Sequence, residues 1–556
     1  MSPPPVVCQS TRTVLACSIS ARVYSRNVFA ASVAPLVAGR ALTALGCTVG
    51  VVLLAVGPLC VGVDIDDLPD IVLLLKFMLC TSKKKIRDAD QVHVVVCCQE
   101  SSASPTNPFT PRDDEETEDC LFLSVYTPSL NPPTLLPTIV WLHGGGYVLG
   151  FAGQYDGADL VQESNNKIVV VIIQYRLGLF GFLAGEQVKE GGALNAGLLD
   201  QDFALRWVHD HIDKFGGDKN LVTIWGESAG AGSVLQQVVA HNGATTPKLF
   251  RAAITSSTFL PSQYNYNDTI PQVRILQPKL GMFFSLPSRF PRLIDDPSCN
   301  GTDPLGCLRT VDSATLGEIN MNVIEHGFQG TFTFVPVVDG SFIVQSPTDS
   351  LIQGKVNGSD EQDMLLSVTN TNEGIPFINQ SAQYNVAQYV RNIFPLFGVK
   401  ESLAAAAVYH SLGSPLDQVN AIMGESIFKC PTYSLLEAFP KKAYKSQYAI
   451  PPALHSQDVI NYFPDYTAFN STLIYNNSNF INAFTQGFLS FVVNLNPNDK
   501  LRPSITPPWA KWSTLMTEML FNRTEGGEPY IAPFRTSSAL LVRCAFWKSV
   551  RHLMGQ

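Results

Sequence analysis

Residues 221–230 read Leu-Val-Thr-Ile-Trp-Gly-Glu-Ser-Ala-Gly, and this stretch decides the fold. Its first half, Leu221–Trp225, is a short apolar run typical of a buried strand. Its second half, Gly226–Gly230, is a G-x-S-x-G pattern that opens a helical stretch running to about Ala240. A serine on a sharp turn between strand and helix projects its hydroxyl from the sheet, and flanking glycines relieve the crowding of that turn. The pattern therefore predicts an α/β architecture with Ser228 as a nucleophile.

Four other apolar, β-branched runs are predicted to be strands: Thr138–His143, Ile168–Tyr175, Phe250–Thr255 and Met364–Thr369. A longer segment from about Asn195 to Phe215 has the pattern of a helix. Buried strands that alternate with helices form a mostly parallel sheet with helices on both faces. No internal repeat or low-complexity linker divides residues 97–556. The sequence therefore predicts one large α/β domain with insertions.

Composition and charge exclude one class of function and indicate a compartment. The 556 residues are 46% hydrophobic and carry a formal net charge of −9, with no basic stripe for nucleic acid to bind. The 12 cysteines suit an oxidising compartment. Glycosylation sequons, which have meaning only on a secretory route, occur at Asn267, Asn300, Asn357, Asn379, Asn470, Asn476 and Asn522. We expect a secreted glycoprotein.

Residues 1–96 differ from the rest of the chain. Ala41–Val63 is a run of 23 residues without a charged side chain, which is long enough to span a bilayer. The flanking charges favour an N-terminus on the inner side. One interpretation is that residues 41–63 anchor the protein in a membrane. The other, which we favour, is that residues 1–96 are an atypical segment that is not native folded sequence.

A second glycine-rich loop, His143–Tyr147, reads His-Gly-Gly-Gly-Tyr and follows the strand predicted before it. Glycines allow backbone N–H groups to approach a carbonyl oxygen closely, and such donors stabilise the oxyanion that forms during acyl transfer. We predict that the N–H groups of Gly145, Gly146 and Ala229 bind this oxyanion.

These motifs resemble the type-B carboxylesterase family of α/β hydrolases, which includes cholinesterases, fungal lipases and sterol esterases. The other matching segments are Glu118–Val125, Asn195–Trp207, Phe215–Asp218 and Arg543–Trp547. Phe334–Asp339 is most similar to the fungal lipase and esterase branch. The resemblance covers about residues 97–556 and implies the α/β-hydrolase fold. Gln272–Pro297 matches poorly, and residues 1–96 lack the family's N-terminal strands, so we expect residues 1–96 not to pack as a regular part of the sheet.

In this fold an acidic residue and then a histidine follow the serine along the chain. Histidines after Ser228 are His241, His326, His410, His455 and His552. Only His455 lies in a loop similar to the family's H-x-x-D segment, which implies that it is the general base. The resemblance likewise implies that Glu373, just after a predicted strand, is the acid, with Asp363 and Asp458 as alternatives. Glu227, beside the nucleophile, is expected to be buried.

The resemblance also implies disulfides. Cys299 and Cys307 match the family's second bridge, and Cys120 is expected to pair with Cys98 or Cys97. The sequence offers no clear partner for Cys430 or Cys544.

The family resemblance implies a serine carboxylic ester hydrolase that forms an acyl-enzyme and needs no metal or cofactor. A triacylglycerol lipase or sterol esterase, acting on lipid esters at an interface, is the alternative within this class. A non-catalytic, cholinesterase-like adhesion protein is the alternative from another class. The filled serine, histidine and acid positions favour an enzyme.

Overall fold

The structure is a computed structural model. It describes residues 6–11, 14–20, 95–97, 115–268, 304–325, 328–357, 364–466 and 474–556. The strands are β1 (Val6–Thr11), β2 (Val14–Ser20), β3 (Val95–Cys97), β4 (Glu115–Thr117), β5 (Phe122–Thr127), β6 (Leu136–Leu142), β7 (Val169–Ile173), β8 (Gly217–Glu227), β9 (Ala252–Ser256), β10 (Met364–Asn370), β11 (Ala443–Tyr448), β12 (Thr517–Arg523) and β13 (Pro529–Arg535).

Helices separate most of the strands. The α-helices are α1 (Gly157–Glu163), α2 (Gly178–Phe182), α3 (Glu186–Gly191), α4 (Ala196–His211), α5 (Ala229–Val239), α6 (Pro304–Leu308), α7 (Ser313–Glu325), α8 (Pro347–Ile352), α9 (Val386–Ile393), α10 (Val399–Tyr409), α11 (Pro415–Gly424), α12 (Cys430–Ala438), α13 (Ser478–Asn494), α14 (Trp512–Leu515), α15 (Ser538–Ser549) and α16 (Arg551–Met554). Short 3₁₀-helices and one π-helix span Ala152–Gln154, Ile212–Phe215, Ala240–Gly243, Ile375–Phe377, Glu425–Lys429 and Val459–Asn461.

The central sheet has eleven strands in the order β1-β2-β5-β7-β6-β8-β9-β10-β11-β12-β13. In sheet order, the strands β7-β6-β8-β9-β10-β11-β12 are parallel to one another, whereas β1, β2, β5 and β13 pair antiparallel with their neighbours. Every residue of β7, β9 and β10 is buried, because helices cover both faces of the parallel part. The mostly parallel α/β-hydrolase architecture predicted from the sequence is therefore confirmed.

The sheet separates two apolar layers. Along β7, Val169, Val171 and Ile173 belong to one hydrophobic cluster, and Val170 and Ile172 belong to the other. This alternation follows from the two-residue period of a strand. Each fully buried aliphatic side chain contributes about 1.5–3 kcal/mol, so both layers hold the parallel strands and their carboxyl ends in place.

Part of the N-terminal segment differs from our expectation. β1 pairs with β2, and β2 pairs with β5, both antiparallel, so these two strands extend one edge of the sheet. The expectation that residues 1–96 contribute no regular part of the sheet is therefore wrong for 6–11 and 14–20. The expectation rested on the missing family pattern, whereas pairing at a sheet edge needs only a short run of apolar and β-branched residues, such as Val6–Thr11 and Val14–Ser20.

Residues 41–63, the possible membrane anchor, and the poorly matching segment Gln272–Pro297 lie outside the described residues. In the part of the chain that the structure describes, no helix is long and apolar enough to cross a membrane. The domain boundary at residue 97 stays a prediction.

One disulfide joins two helices that the sequence did not connect. Cys430, at the start of α12, bonds to Cys544 in α15, with an S–S distance of 2.00 Å. Cys120 and Cys307 are also disulfide-bonded. The predicted pairings of Cys120 with Cys98 or Cys97, and of Cys307 with Cys299, stay predictions, since Cys98 and Cys299 lie outside the described residues.

Candidate active site

The site begins at the turn between β8 and α5. Ser228 has φ 53° and ψ −122°, which is a left-handed conformation that costs free energy for a residue with a side chain. Its N–H donates to the carbonyl of Ser256 at the end of β9, at 2.9 Å. The tight turn and this bond fix the serine at the carboxyl edge of the sheet.

The two outer glycines of the motif allow this turn. A Cβ at Gly226 would lie 2.4 Å from the carbonyl carbon of Gly230, and a Cβ at Gly230 would lie 2.0 Å from the carbonyl oxygen of Leu142. Neither approach is possible for a larger residue without backbone movement. Close contact of β6, β8 and α5 therefore explains why glycine stands at both positions.

The predicted histidine and acid lie beside this serine. Nε2 of His455 is 2.8 Å from Oγ of Ser228, and Nδ1 of His455 is 2.6 Å from a carboxylate oxygen of Glu373. Glu373 follows β10 and His455 follows β11. Because β10 and β11 are adjacent and parallel, their carboxyl ends bring two residues together that are 82 positions apart in the chain.

Glu373 is 1% exposed and is fully engaged. Its second carboxylate oxygen accepts hydrogen bonds from the hydroxyl of Ser257 at 2.7 Å and from the N–H of Asn370 at 2.6 Å. These bonds leave the first oxygen directed at His455. Ser257 and Asn370 were not found by sequence reasoning, since a serine or an asparagine near a strand end has no distinctive pattern.

Charges around His455 control its protonation. Burial lowers the pKa of His455, but the hydrogen bond and the charge of Glu373, with smaller contributions from Glu227 and Asp458, raise it, so that the net pKa lies above its ordinary value of 6.5. The imidazolium form is thereby stabilised inside the protein.

Two further buried carboxyl groups lie close to this histidine. Glu227 has an oxygen 3.4 Å from Nε2 of His455 and accepts a hydrogen bond from the hydroxyl of Ser456. It is buried as expected, and burial raises its pKa to about 7. Burial likewise raises the pKa of Asp458 to about 6. Asp458 accepts a hydrogen bond from the amide of Asn370 at 2.8 Å rather than from the histidine, and the other alternative acid, Asp363, lies outside the described residues.

The second glycine loop lies next to the serine, after β6. Gly145 and Gly146 have φ values of 108° and 64°, and a Cβ at Gly145 would lie 1.9 Å from the carbonyl oxygen of Leu149. Among the described residues, none accepts a hydrogen bond from the N–H groups of Gly145, Gly146 or Ala229. Free N–H donors beside a serine hydroxyl are an arrangement that can bind an oxyanion.

Aromatic side chains enclose the histidine. The ring centroids of Phe428 and Phe377 are 4.4 and 5.1 Å from that of His455. The ring centroid of Phe332 is 5.8 Å from that of Phe377, and a Cβ at Gly146 would lie 3.1 Å from the Phe332 ring. Phe428 lies on the π-helix Glu425–Lys429, which the sequence did not indicate. These rings form an apolar wall beside the reactive atoms.

In the part of the chain that the structure describes, His455 is the histidine that hydrogen-bonds to Ser228, and no other histidine does. His143 is fully buried, its ring stacks on Tyr175 at 4.3 Å, and burial lowers its pKa to about 4. His241 contacts Phe342 and Thr245 at the far end of α5, and His326 lies outside the described residues. No group of three or more metal-ligating side chains occurs within the described part of the chain.

This chain is similar to a family model and to several known proteins. A sequence model of the carboxylesterase family matches residues 81–528. A secreted lipase of Arthroderma benhamiae is 29% identical over 451 residues, which are 78% of this chain and 83% of the lipase. Carboxylesterase patB of Penicillium expansum is 28% identical over 450 residues, 75% of this chain and 73% of the esterase.

Among solved structures, the crystal structure of Aspergillus niger EstA is similar to this chain with a TM-score of 0.69 and 28% sequence identity. The match covers 83% of this chain and 88% of EstA. The family resemblance inferred from the sequence, including its fungal branch, is confirmed.

Proposed function

The chain belongs to the carboxylesterase family and is a carboxylic ester hydrolase, and we propose that it works through an acyl-enzyme on Ser228. His455 is the general base in this proposal, and Glu373 orients it. The observation that carries the proposal is the single imidazole that bridges Ser228 at 2.8 Å and Glu373 at 2.6 Å.

In the first step, Oγ of Ser228 attacks the carbonyl carbon of the ester while its proton passes to Nε2 of His455. The imidazolium keeps its Nδ1 proton in the hydrogen bond to Glu373, whose charge balances the new positive charge. The carbonyl oxygen becomes an oxyanion and accepts hydrogen bonds from Gly145, Gly146 and Ala229. The tetrahedral intermediate then releases the alcohol, which takes the proton from His455.

In the second step, a water molecule replaces the alcohol. His455 removes a proton from the water as it attacks the acyl carbon, and the second oxyanion uses the same N–H donors. Its collapse breaks the bond to Oγ, and the proton on His455 returns to Ser228. The products are a carboxylic acid and the free enzyme, and no metal or cofactor takes part in either step.

The substrate that this site favours is an ester with an apolar acyl group. Phe332, Phe377 and Phe428 form an apolar wall beside Ser228 and His455. These three rings carry no charge, so they favour an uncharged acyl group. A lipase or sterol esterase acting at a lipid interface is the second candidate, favoured by the lipase relatives. We also propose that the protein is secreted, as the names of several relatives state for those proteins.

Hydrolysis of p-nitrophenyl esters from acetate to palmitate, with labelling by a fluorophosphonate probe, tests the proposal. Ser228→Ala is expected to lower kcat by about 10⁴-fold or more and to abolish labelling, with little change in the melting temperature. Ser549→Ala, at an exposed serine, is the matched control and keeps full activity. Unchanged turnover in Ser228→Ala would contradict the assignment. A steep rise in rate when long-chain substrate forms an emulsion would identify the lipase.

A further inference from the structure

A cavity of about 440 Å³ lies behind the acid and histidine loops, at the carboxyl ends of β10, β11 and β12. Small-ligand sites typically measure about 300–1,000 Å³. The described residues that line the cavity are all uncharged. Its lining combines apolar and amide side chains, among them Pro451, Pro452, Leu520, Asn372, Gln447 and Asn522.

The two loops that supply the acid and the base meet at this cavity. Asn372, directly before Glu373, donates from its backbone N–H to the carbonyl of Ala453 at 2.8 Å and from its side chain to the carbonyl of Pro452 at 2.7 Å. Ala453 has φ 52°, a strained value for a residue with a side chain. An occupant of the cavity therefore touches the junction that positions His455 and Glu373.

One wall residue belongs to a sequon, Asn522-Arg523-Thr524, at the carboxyl end of β12. Its neighbour Phe521 is buried on the opposite face of the strand, whereas Asn522 is half-buried and faces the cavity. Oδ1 of Asn522 accepts a hydrogen bond from the N–H of Arg523 at 2.8 Å. Within the described part of the chain, Nδ2 of Asn522 donates to no acceptor.

Another sequon shows how a blocked site differs. Nδ2 of Asn357 donates to the carbonyls of Gln237 and Ala240, at 2.9 and 3.0 Å, and to the hydroxyl of Thr245 at 2.9 Å. A sugar on that nitrogen is incompatible with these three bonds. Asn522 has no such commitment, so the folded chain can accommodate a sugar on its amide nitrogen.

We propose that Asn522 carries an N-linked glycan whose first sugar occupies this cavity. The proposal rests on the secretion that we proposed with the function. A lipid-diphosphate oligosaccharide is the donor of the glycan. A bond forms between Nδ2 of Asn522 and the anomeric carbon of the first sugar, and the bond from that carbon to the diphosphate oxygen breaks. The amide proton leaves with the lipid diphosphate. The apolar face of the sugar packs on Pro451 and Pro452, and its hydroxyl and acetamido groups bond to the amides of Asn372 and Gln447.

The full chain, secreted from a yeast host, tests both halves of the proposal. Peptide mass spectrometry is expected to find a hexosamine-linked glycan on Asn522. Hydrogen exchange in the segment 447–454 is expected to be about tenfold slower in the glycosylated protein than in Asn522→Gln, a factor that corresponds to about 1.4 kcal/mol of local stabilisation. Thr524→Ala is expected to match Asn522→Gln in its hydrogen exchange. Thr524→Ser keeps the sequon and is expected to match the glycosylated chain without substitutions.

Asn476→Gln is the matched control, because Asn476 lies in an exposed sequon that does not line the cavity. It is expected to lose a glycan without any change in exchange at 447–454. A secreted chain without sugar on Asn522, whatever Asn476 carries, overturns the proposal. A glycan on Asn522 whose loss leaves exchange unchanged overturns its placement in the cavity. Ester hydrolysis by the same samples reports separately on the proposed function.

Discussion

At the scale of single residues, the carboxylate of Glu373 has three hydrogen-bond partners and almost no exposure to solvent. Its orientation is fixed by Ser257 and Asn370, so a change in charge at this position alters the histidine more than the fold. Because the charge of Glu373 can be removed without disturbing the fold, substitutions at Glu373 test the proposed triad directly.

Glu373→Gln is expected to keep the fold and substrate binding but to lower kcat by about 10²–10⁴-fold, because an amide cannot balance the imidazolium charge. Glu373→Asp is expected to be milder, since only reach is lost. Steady-state kinetics of both variants beside Asp458→Asn decide the assignment. An Asp458→Asn enzyme that is inactive, with Glu373→Gln within tenfold of the unmodified chain, would make Asp458 the acid.

The pH dependence follows from the raised pKa of His455. Only the neutral imidazole accepts the serine proton, so kcat/KM is expected to fall as the pH drops through a midpoint above the ordinary value of 6.5. Glu373→Gln removes the main group that raises this pKa. In this variant the fall of kcat/KM at acidic pH is therefore expected to move to lower pH. Rate profiles of the two proteins, at constant ionic strength, measure the shift. A limb that moves to higher pH would be inconsistent with the charge of Glu373 acting on His455.

At the scale of elements, the disulfide between α12 and α15 follows directly on the π-helix that carries Phe428. It closes a loop of 114 residues. Replacing both Cys430 and Cys544 by alanine is expected to lower the free energy of unfolding by about 2–5 kcal/mol. Differential scanning calorimetry measures the change, with the unmodified chain under the same oxidising conditions as reference. A melting temperature that stays the same would show that the bridge adds no stability.

Prediction from the sequence succeeded where one short segment contains all the residues that determine a local structure. Leu221–Gly230 predicts a strand, a sharp turn and a helix start in ten adjacent residues, and the five predicted strands all lie within or overlap β6 to β10. It failed where the partner is distant and the local pattern is ordinary, as for Cys430 with Cys544. Nor does the sequence mark Phe428, because the wall it forms exists only when the π-helix packs against the histidine loop.

At the scale of the whole molecule, two N-terminal strands extend the sheet beyond β5. A long edge with unpaired N–H and C=O groups invites aggregation, and pairing of β2 with β5 covers that edge. β1 is then the terminal strand on this side.

This order makes a prediction for amide exchange in the intact chain. Amides of Val14–Ser20 are expected to exchange more slowly than those of Val6–Thr11, because β2 has a neighbour on both sides and β1 on one. Hydrogen-exchange mass spectrometry of peptides from this region, with β7 as the fully protected reference, makes the comparison. Complete exchange of both segments within the first time point would mean that these strands do not pair in solution.

The distance along the chain between Ser228 and His455, 227 residues, has a consequence for biosynthesis. During translation Ser228 emerges long before His455, so a nascent chain or a fragment that stops short of residue 455 holds the serine without its proposed general base. Covalent labelling of Ser228 in a cell extract would thus count only molecules whose synthesis and sheet assembly have reached the far side of the fold. The amount of label on Ser228 would therefore measure how many chains have completed folding.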